Sequence, residues 1–95
     1  MHGPTHAVAL TGSDQVVRAG VAYYRGFSIR ETSGAAAAVV RIYDHASAAS
    51  GTVLDEISLD AGESAREWYE SGIWASSGVY IDVVSGAVAG SVRVG

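Results

Sequence analysis

The chain predicts an all-β fold, a single small antiparallel β-sandwich or jelly-roll-like barrel of about 7–8 strands. Two observations carry that expectation. Between residues 21 and 94, short segments alternate β-branched or aromatic residues with polar ones, the period of a half-buried strand. Clusters of Gly, Ser and Asp interrupt these segments at the spacing of successive sandwich strands. A third observation sets the scale. The 95 residues make one domain, and without cysteine its core is held by neither disulfides nor thiolate metal sites.

Residues 1–14 read as an extended N-terminal arm with a first short strand, and residues 15–95 as the sandwich domain. Pro4 cannot donate to a ladder and suits an edge or a lead-in. Residues 6–10 form the short strand, with Val8 and Leu10 on one face, and Thr11-Gly12-Ser13-Asp14 turns the chain. A second strand covers residues 15–19 and is broken or bent by Gly20. Along residues 21–31, Phe27 and Ile29 face one side while Ser28 and Arg30 face the other. Gly26 inside that run marks a bulge or a close backbone approach.

The alanine run at 35–38 has the best intrinsic helix propensity. It has no polar face, however, and flows straight into a β-type run, so a strand is expected instead. Ala38, Val40 and Ile42 then point one way, and Val39, Arg41 and Tyr43 the other. Residues 44–51 are a loop of small residues. Residues 52–60 form the next strand, with Val53, Ile57 and Leu59 sharing a face and Asp55 as the exception. Ala61-Gly62 reads as a hairpin tip leading into residues 63–70, and Gly72 as a further turn before a short strand at 72–75. The last two strands, 79–84 and 88–94, alternate most regularly, separated by turns at 76–78 and 85–86. The GxxxG spacing of Gly86 and Gly90 is a turn entering a strand.

Apolar residues make up 48% of the chain, mostly Ala and Val, and the net charge is −4. That balance lacks the basic footprint of non-specific nucleic-acid binding, so no nucleic-acid partner is expected. No apolar run approaches a bilayer span, and the start lacks a charged-then-apolar leader. A soluble product made in the cytoplasm, with no membrane partner, is the expectation. All six basic residues are Arg, as a GC-rich genome would favour and as protein interfaces also use well.

No catalytic, cofactor or metal site is expected. His2 and His6 have the spacing of ligands on a helix face, but Pro4 lies between them and no third ligand is near. Asp44-His45 with Ser47 and Ser50 supplies the residue types of a nucleophilic triad without a G-x-S-x-G elbow, and reads as a polar turn. The carboxylates from Asp55 to Asp82 are types that glycosidases use, but they read as solvated faces and edges. The aromatics Tyr23, Tyr24, Trp68, Tyr69, Trp74 and Tyr80 are many rings for a core of Ala and Val. They divide among core packing, protein-interface anchoring and sugar stacking.

Four phrases add a family resemblance: YRGFSIRE at 24–31, VVRIYD at 39–44, LDAGES at 59–64 and GVYIDVVSGAVAGSVRVG at 78–95. Together they resemble small β-rich virion structural proteins of actinobacterial tailed phages. The match covers about three-quarters of the chain and excludes the N-terminal arm. The resemblance implies a non-enzymatic capsid decoration (cement) protein on the outer surface of the capsid. Its partner would be the major capsid protein, with self-association as a further option. A tail or fibre component, or a carbohydrate-binding module for host attachment, is the alternative. The expected contact residues are His2, Pro4, His6 and Val8 on the arm, with Trp68, Tyr69 and Trp74 as the aromatic anchor.

Overall fold

A computed structural model of the chain describes residues 4–95, and every regular element in it is a strand. In order these are β1 (His6–Ala9), β2 (Gln15–Ala19), β3 (Ala22–Glu31), β4 (Ala38–Asp44), β5 (Thr52–Leu59), β6 (Ser64–Ala75), β7 (Gly78–Ser85) and β8 (Val88–Val94). They build two antiparallel sheets, A in the order β1-β8-β3-β6 and B in the order β2-β7-β4-β5. Partners nest: β4 pairs with β5, β3 with β6, β2 with β7 and β1 with β8. The chain is thus one long two-stranded ribbon, tipped by the 45–51 loop and folded over three times. Its successive pairs fall alternately into sheets B and A, which is the strand order of a jelly roll.

Alternation places the core between the sheets. The interior strands β3 and β8 of sheet A supply Tyr24, Phe27, Ile29, Val92 and Val94, all nearly inaccessible. Facing them, β4 and β7 of sheet B supply Val40, Ile42, Val79 and Ile81. Full burial of each such side chain contributes about 1.5–3 kcal/mol. Ala38 opens β4 and is buried with Val40 and Ile42, so the end of the alanine run does join a strand. Residues 6–9, grouped with the arm on sequence grounds, are paired to β8 as an edge of sheet A.

Three expectations need correction. In β5, Ile42 pairs with Asp55 but Tyr43 with Val53, which makes Leu54 a bulge residue. The extra residue reverses the strand's sides at that point, so Val53 turns outward, while Asp55 keeps the side of Ile57 and Leu59 that alternation gives it. Ala61-Gly62 is a turn, but its flanking strands lie in opposite sheets, so it is a crossing and not a hairpin tip. Gly72 ends nothing. Strand β6 runs through it, with residues 69–72 bulging opposite Arg25 alone.

Each fold of the ribbon takes backbone amides out of the ladder, and a carboxylate meets them. Where β3 and β6 cross to β4 and β5, the buried Glu31 accepts from the amides of Ser33 (2.9 Å), Gly34 (2.7 Å) and Gly62 (3.0 Å) and from the Ser33 hydroxyl (2.6 Å). Where β2 and β7 cross to β3 and β6, Asp44 accepts from the amides of Ser76, Ser77 and Gly78. At the remaining fold Asp14 accepts from the Val83 amide at 2.8 Å. The Ser33 hydroxyl and the Gly62 amide together hold the Glu31 carboxyl down at about 2, against an ordinary 4.5. Burial alone would raise Asp44, but the three amides outweigh it and hold that carboxyl below its ordinary value too.

Both shifts are depressions, so the stability they bring is complete above the ordinary carboxylate range and drains away in acid. Urea midpoints should therefore fall as pH drops from about 4.5 towards 2. Glu31→Gln should be less stable than the parent at pH 7 and should lose less on acidification. An acid limb of unchanged slope in that variant would mean that other groups set it.

Candidate docking face

Strand β6 carries the residues that sequence reasoning singled out, and its bulge decides where they point. From Ser64 to Trp68 it pairs regularly with β3, Trp68 lying opposite Gly26 and Arg66 opposite Ser28. It then spends residues 69–72 against Arg25 and resumes with Trp74 opposite Tyr23. Strand β3 has its own bulge here. Gly26 sits at φ 124°, and a Cβ on it would run into the Glu67 carbonyl, so only glycine fits. The Arg25 Nη1 donates to the Glu70 carbonyl at 2.6 Å, and the guanidinium lies 5.8 Å from the centre of the Tyr23 ring. Arg25 is buried there, tied to the bulged segment of β6 through the Glu70 carbonyl.

Register then assigns the outer face of sheet A. Trp68, Gly26 and Arg93 form one cross-strand row, and Arg66, Ser28 and Ser91 the next. Arg30 lies in a third row, between Ser64 and Ala89. Trp74 packs edge-on to Tyr23, with ring centres 5.2 Å apart at 65°. Trp68 and Trp74 remain about half exposed, at 54% and 53%. Small residues thus form the floor while indoles and guanidinium groups stand up from it. No Asp or Glu occupies an outward paired position on this sheet.

Tyr69 is not part of that face. It turns inward beside Tyr24, and both hydroxyls donate to Asp55 Oδ2, at 2.8 and 2.9 Å. Asp55 and Tyr69 line an open groove of about 530 Å³ between the edge strands β5 and β6, with Phe27 and Glu67 among its other walls. Desolvation, then the hydrogen bond to Asp55, pushes the Tyr69 hydroxyl up to about 12. Burial pushes Tyr24 up further still, with the Asp55 charge adding to it. Both phenols stay protonated donors at neutral pH, a role that ties β3 and β6 of sheet A to β5 of sheet B.

Of the other expected contact residues, His2 lies outside the described residues. Pro4 and His6 are exposed beside the β1 edge, whereas Val8 turns inward and packs against the core. The Asp44-His45 pair does not converge. Asp44 is committed to the 76–78 turn, and the His45 Nδ1 accepts from the amides of Ser47 and Ala48. Among the described residues, no three His, Asp or Glu side chains are grouped to hold a metal ion. Sequence reasoning missed Arg25 and Asp55, whose partners lie far along the chain. The one available signal was Gly26 beside an arginine. No protein family, curated protein or solved structure matches this chain.

Removing the shared acceptor should cost more than removing one donor. Asp55→Ala leaves the buried Tyr24 hydroxyl unpaired and should lower unfolding free energy by about 1–3 kcal/mol, against about 0.5–1.5 kcal/mol for Tyr69→Phe. Urea titrations at neutral pH measure both, and equal losses would mean the Tyr24 hydroxyl finds another acceptor.

Proposed function

We propose that this chain is a non-enzymatic virion structural protein, a capsid decoration protein that lays the outer face of sheet A on the major capsid protein lattice. The observation that carries the reading is the face itself, two half-exposed indoles and a set of arginines standing on a floor of small residues. Tyr, Trp and Arg are the side chains on which protein interfaces concentrate their binding energy. Support also comes from the phage-like phrases, which include β3 and β8, and from the jelly roll, a fold that recurs in viral capsid domains. Fold alone assigns no role.

The mechanism is adhesive. A module made in the host cytoplasm that binds only assembled shell stabilises that state, by about 2.7 kcal/mol per site at a free concentration a hundred times its Kd. On β1 the outward positions Ala7 and Ala9, opposite Arg93 and Ser91, continue the small-residue floor to the sheet edge. A tail or fibre location uses the same face. Glycan binding is the second reading, favoured by the exposure of Trp68 and Trp74 on one side of the molecule.

Occupancy on purified particles, read by cryo-EM and quantitative mass spectrometry, tests the proposal. Trp74→Ala and Trp68→Ala should each weaken particle binding by about tenfold or more. The isolated domain should lose little stability, because both rings are half in solvent already. Unchanged occupancy rules out this face. Saturable binding of the pure domain to cell-wall glycans, with no copies on particles, moves the assignment to sugar recognition.

A further inference from the structure

The outer face of sheet B is the chemical opposite of the outer face of sheet A. Its rows follow from register as before. Val53, Tyr43, Tyr80 and Val16 line up across all four strands, an unbroken apolar and aromatic row on the solvent side. Val53 and Val16 are each 45% exposed. The next row along the strands reads Glu56, Arg41, Asp82. Asp14 continues it, since its carboxylate reaches the Val83 amide and its charge is felt at Asp82. Glu56 holds the lone arginine of the row at 2.6 Å, which leaves Asp82 and Asp14 side by side in excess. Burial, then the neighbouring Asp14, pushes the Asp82 carboxyl up, so an added cation there would relieve repulsion.

On both faces an apolar row lies next to charged ones, and on sheet B an uncharged row of Ser58, Val39 and Ser85 follows. On sheet A the Tyr23–Trp74 pair and Trp68 give way to Arg66, Arg93 and Arg30. On sheet B the valine–tyrosine row gives way to carboxylates. We infer that copies of this chain associate head to tail, the outer face of sheet A of one on the outer face of sheet B of the next. Rings then meet the apolar row while guanidinium groups meet carboxylates. The molecule measures 42 × 24 × 18 Å, so either broad side presents about 800–1,000 Å², near the ~800 Å² per partner of a standard protein interface. Because the two surfaces differ, the contact is heterologous and continues from copy to copy unless a rotation closes it. The inference goes beyond the capsid reading. A copy seated on a shell by sheet A still offers sheet B to another.

Sedimentation velocity on the purified protein tests it without any particle. The wild type should show concentration-dependent association that weakens as salt screens the charges. Arg66→Glu with Arg93→Glu makes both faces acidic, and Glu56→Arg with Asp82→Arg makes both basic. Each variant alone should associate about tenfold or more weakly than the wild type, through like-charge contact. An equimolar mixture of the two should associate again, and that recovery also shows both to be folded. Wild type that stays monomeric at every concentration overturns the inference. So does a variant that associates like the wild type, or a mixture that stays monomeric while both components keep cooperative unfolding. The capsid reading is judged separately, by the occupancy of the tryptophan variants on particles.

Discussion

Backbone amides at the folds of the ribbon constrain everything else in this molecule. A two-stranded ribbon that alternates between two sheets must leave its ladder three times, and N–H groups outside the ladder need other acceptors. The chain answers with Asp14, Asp44 and Glu31, one carboxylate per fold. Glu31 reaches across both connections of its crossing, taking Ser33 and Gly34 from one and Gly62 from the other. It therefore sets the stacking of sheet A over sheet B at that end, and with it the overlap of core side chains. A core in which Tyr24, Phe27 and four isoleucines interlock with alanines and valines tolerates little slippage, because interiors are close-packed.

The two bulges translate that stacking into surface chemistry. In β6 the extra residues stretch one edge of sheet A and separate Trp68 from Trp74, while Arg25 is tied to the bulged segment through the Glu70 carbonyl. In β5 the extra Leu54 turns Val53 outward, while Asp55 keeps the inward side it shares with Ile57. The first widens the aromatic face of sheet A. The second completes the apolar row of sheet B. Neither outer face would exist in its present form if both strands were regular.

Much of this was legible from the residues. Regular alternation identified β4, β7 and β8, including which of Val40, Ile42, Val79, Ile81 and Val92 point inward. Gly26 signalled its bulge because only glycine accepts that backbone and that proximity to Glu67. The failures share one cause. Alternation is a local rule, and one inserted residue reverses it, as Leu54 does for Val53. Local sequence is equally silent on which strands share a sheet, so the turn at Ala61-Gly62 looked like a hairpin while in fact passing between layers. On the candidate face, Trp68 and Trp74 were visible as types, but the inward rotation of Tyr69 and Val8 depends on partners in β3, β5 and β8.

The nested strand order has a consequence for how the molecule comes into being. Pairing β4 with β5 closes only a short loop, and every later pair begins with its ends already near one another. Joining β1 to β8 first would instead close a loop of about eighty residues, at about 2 kcal/mol more in chain entropy. Yet β7 and β8, the last two strands in the chain, are interior strands, each flanked on both sides. During synthesis the emerging chain can form the β4–β5 hairpin and extend it through β3 and β6, but both sheets still lack an inner member. Neither layer closes until β7 and β8 have left the ribosome, so the native core forms only after both have emerged.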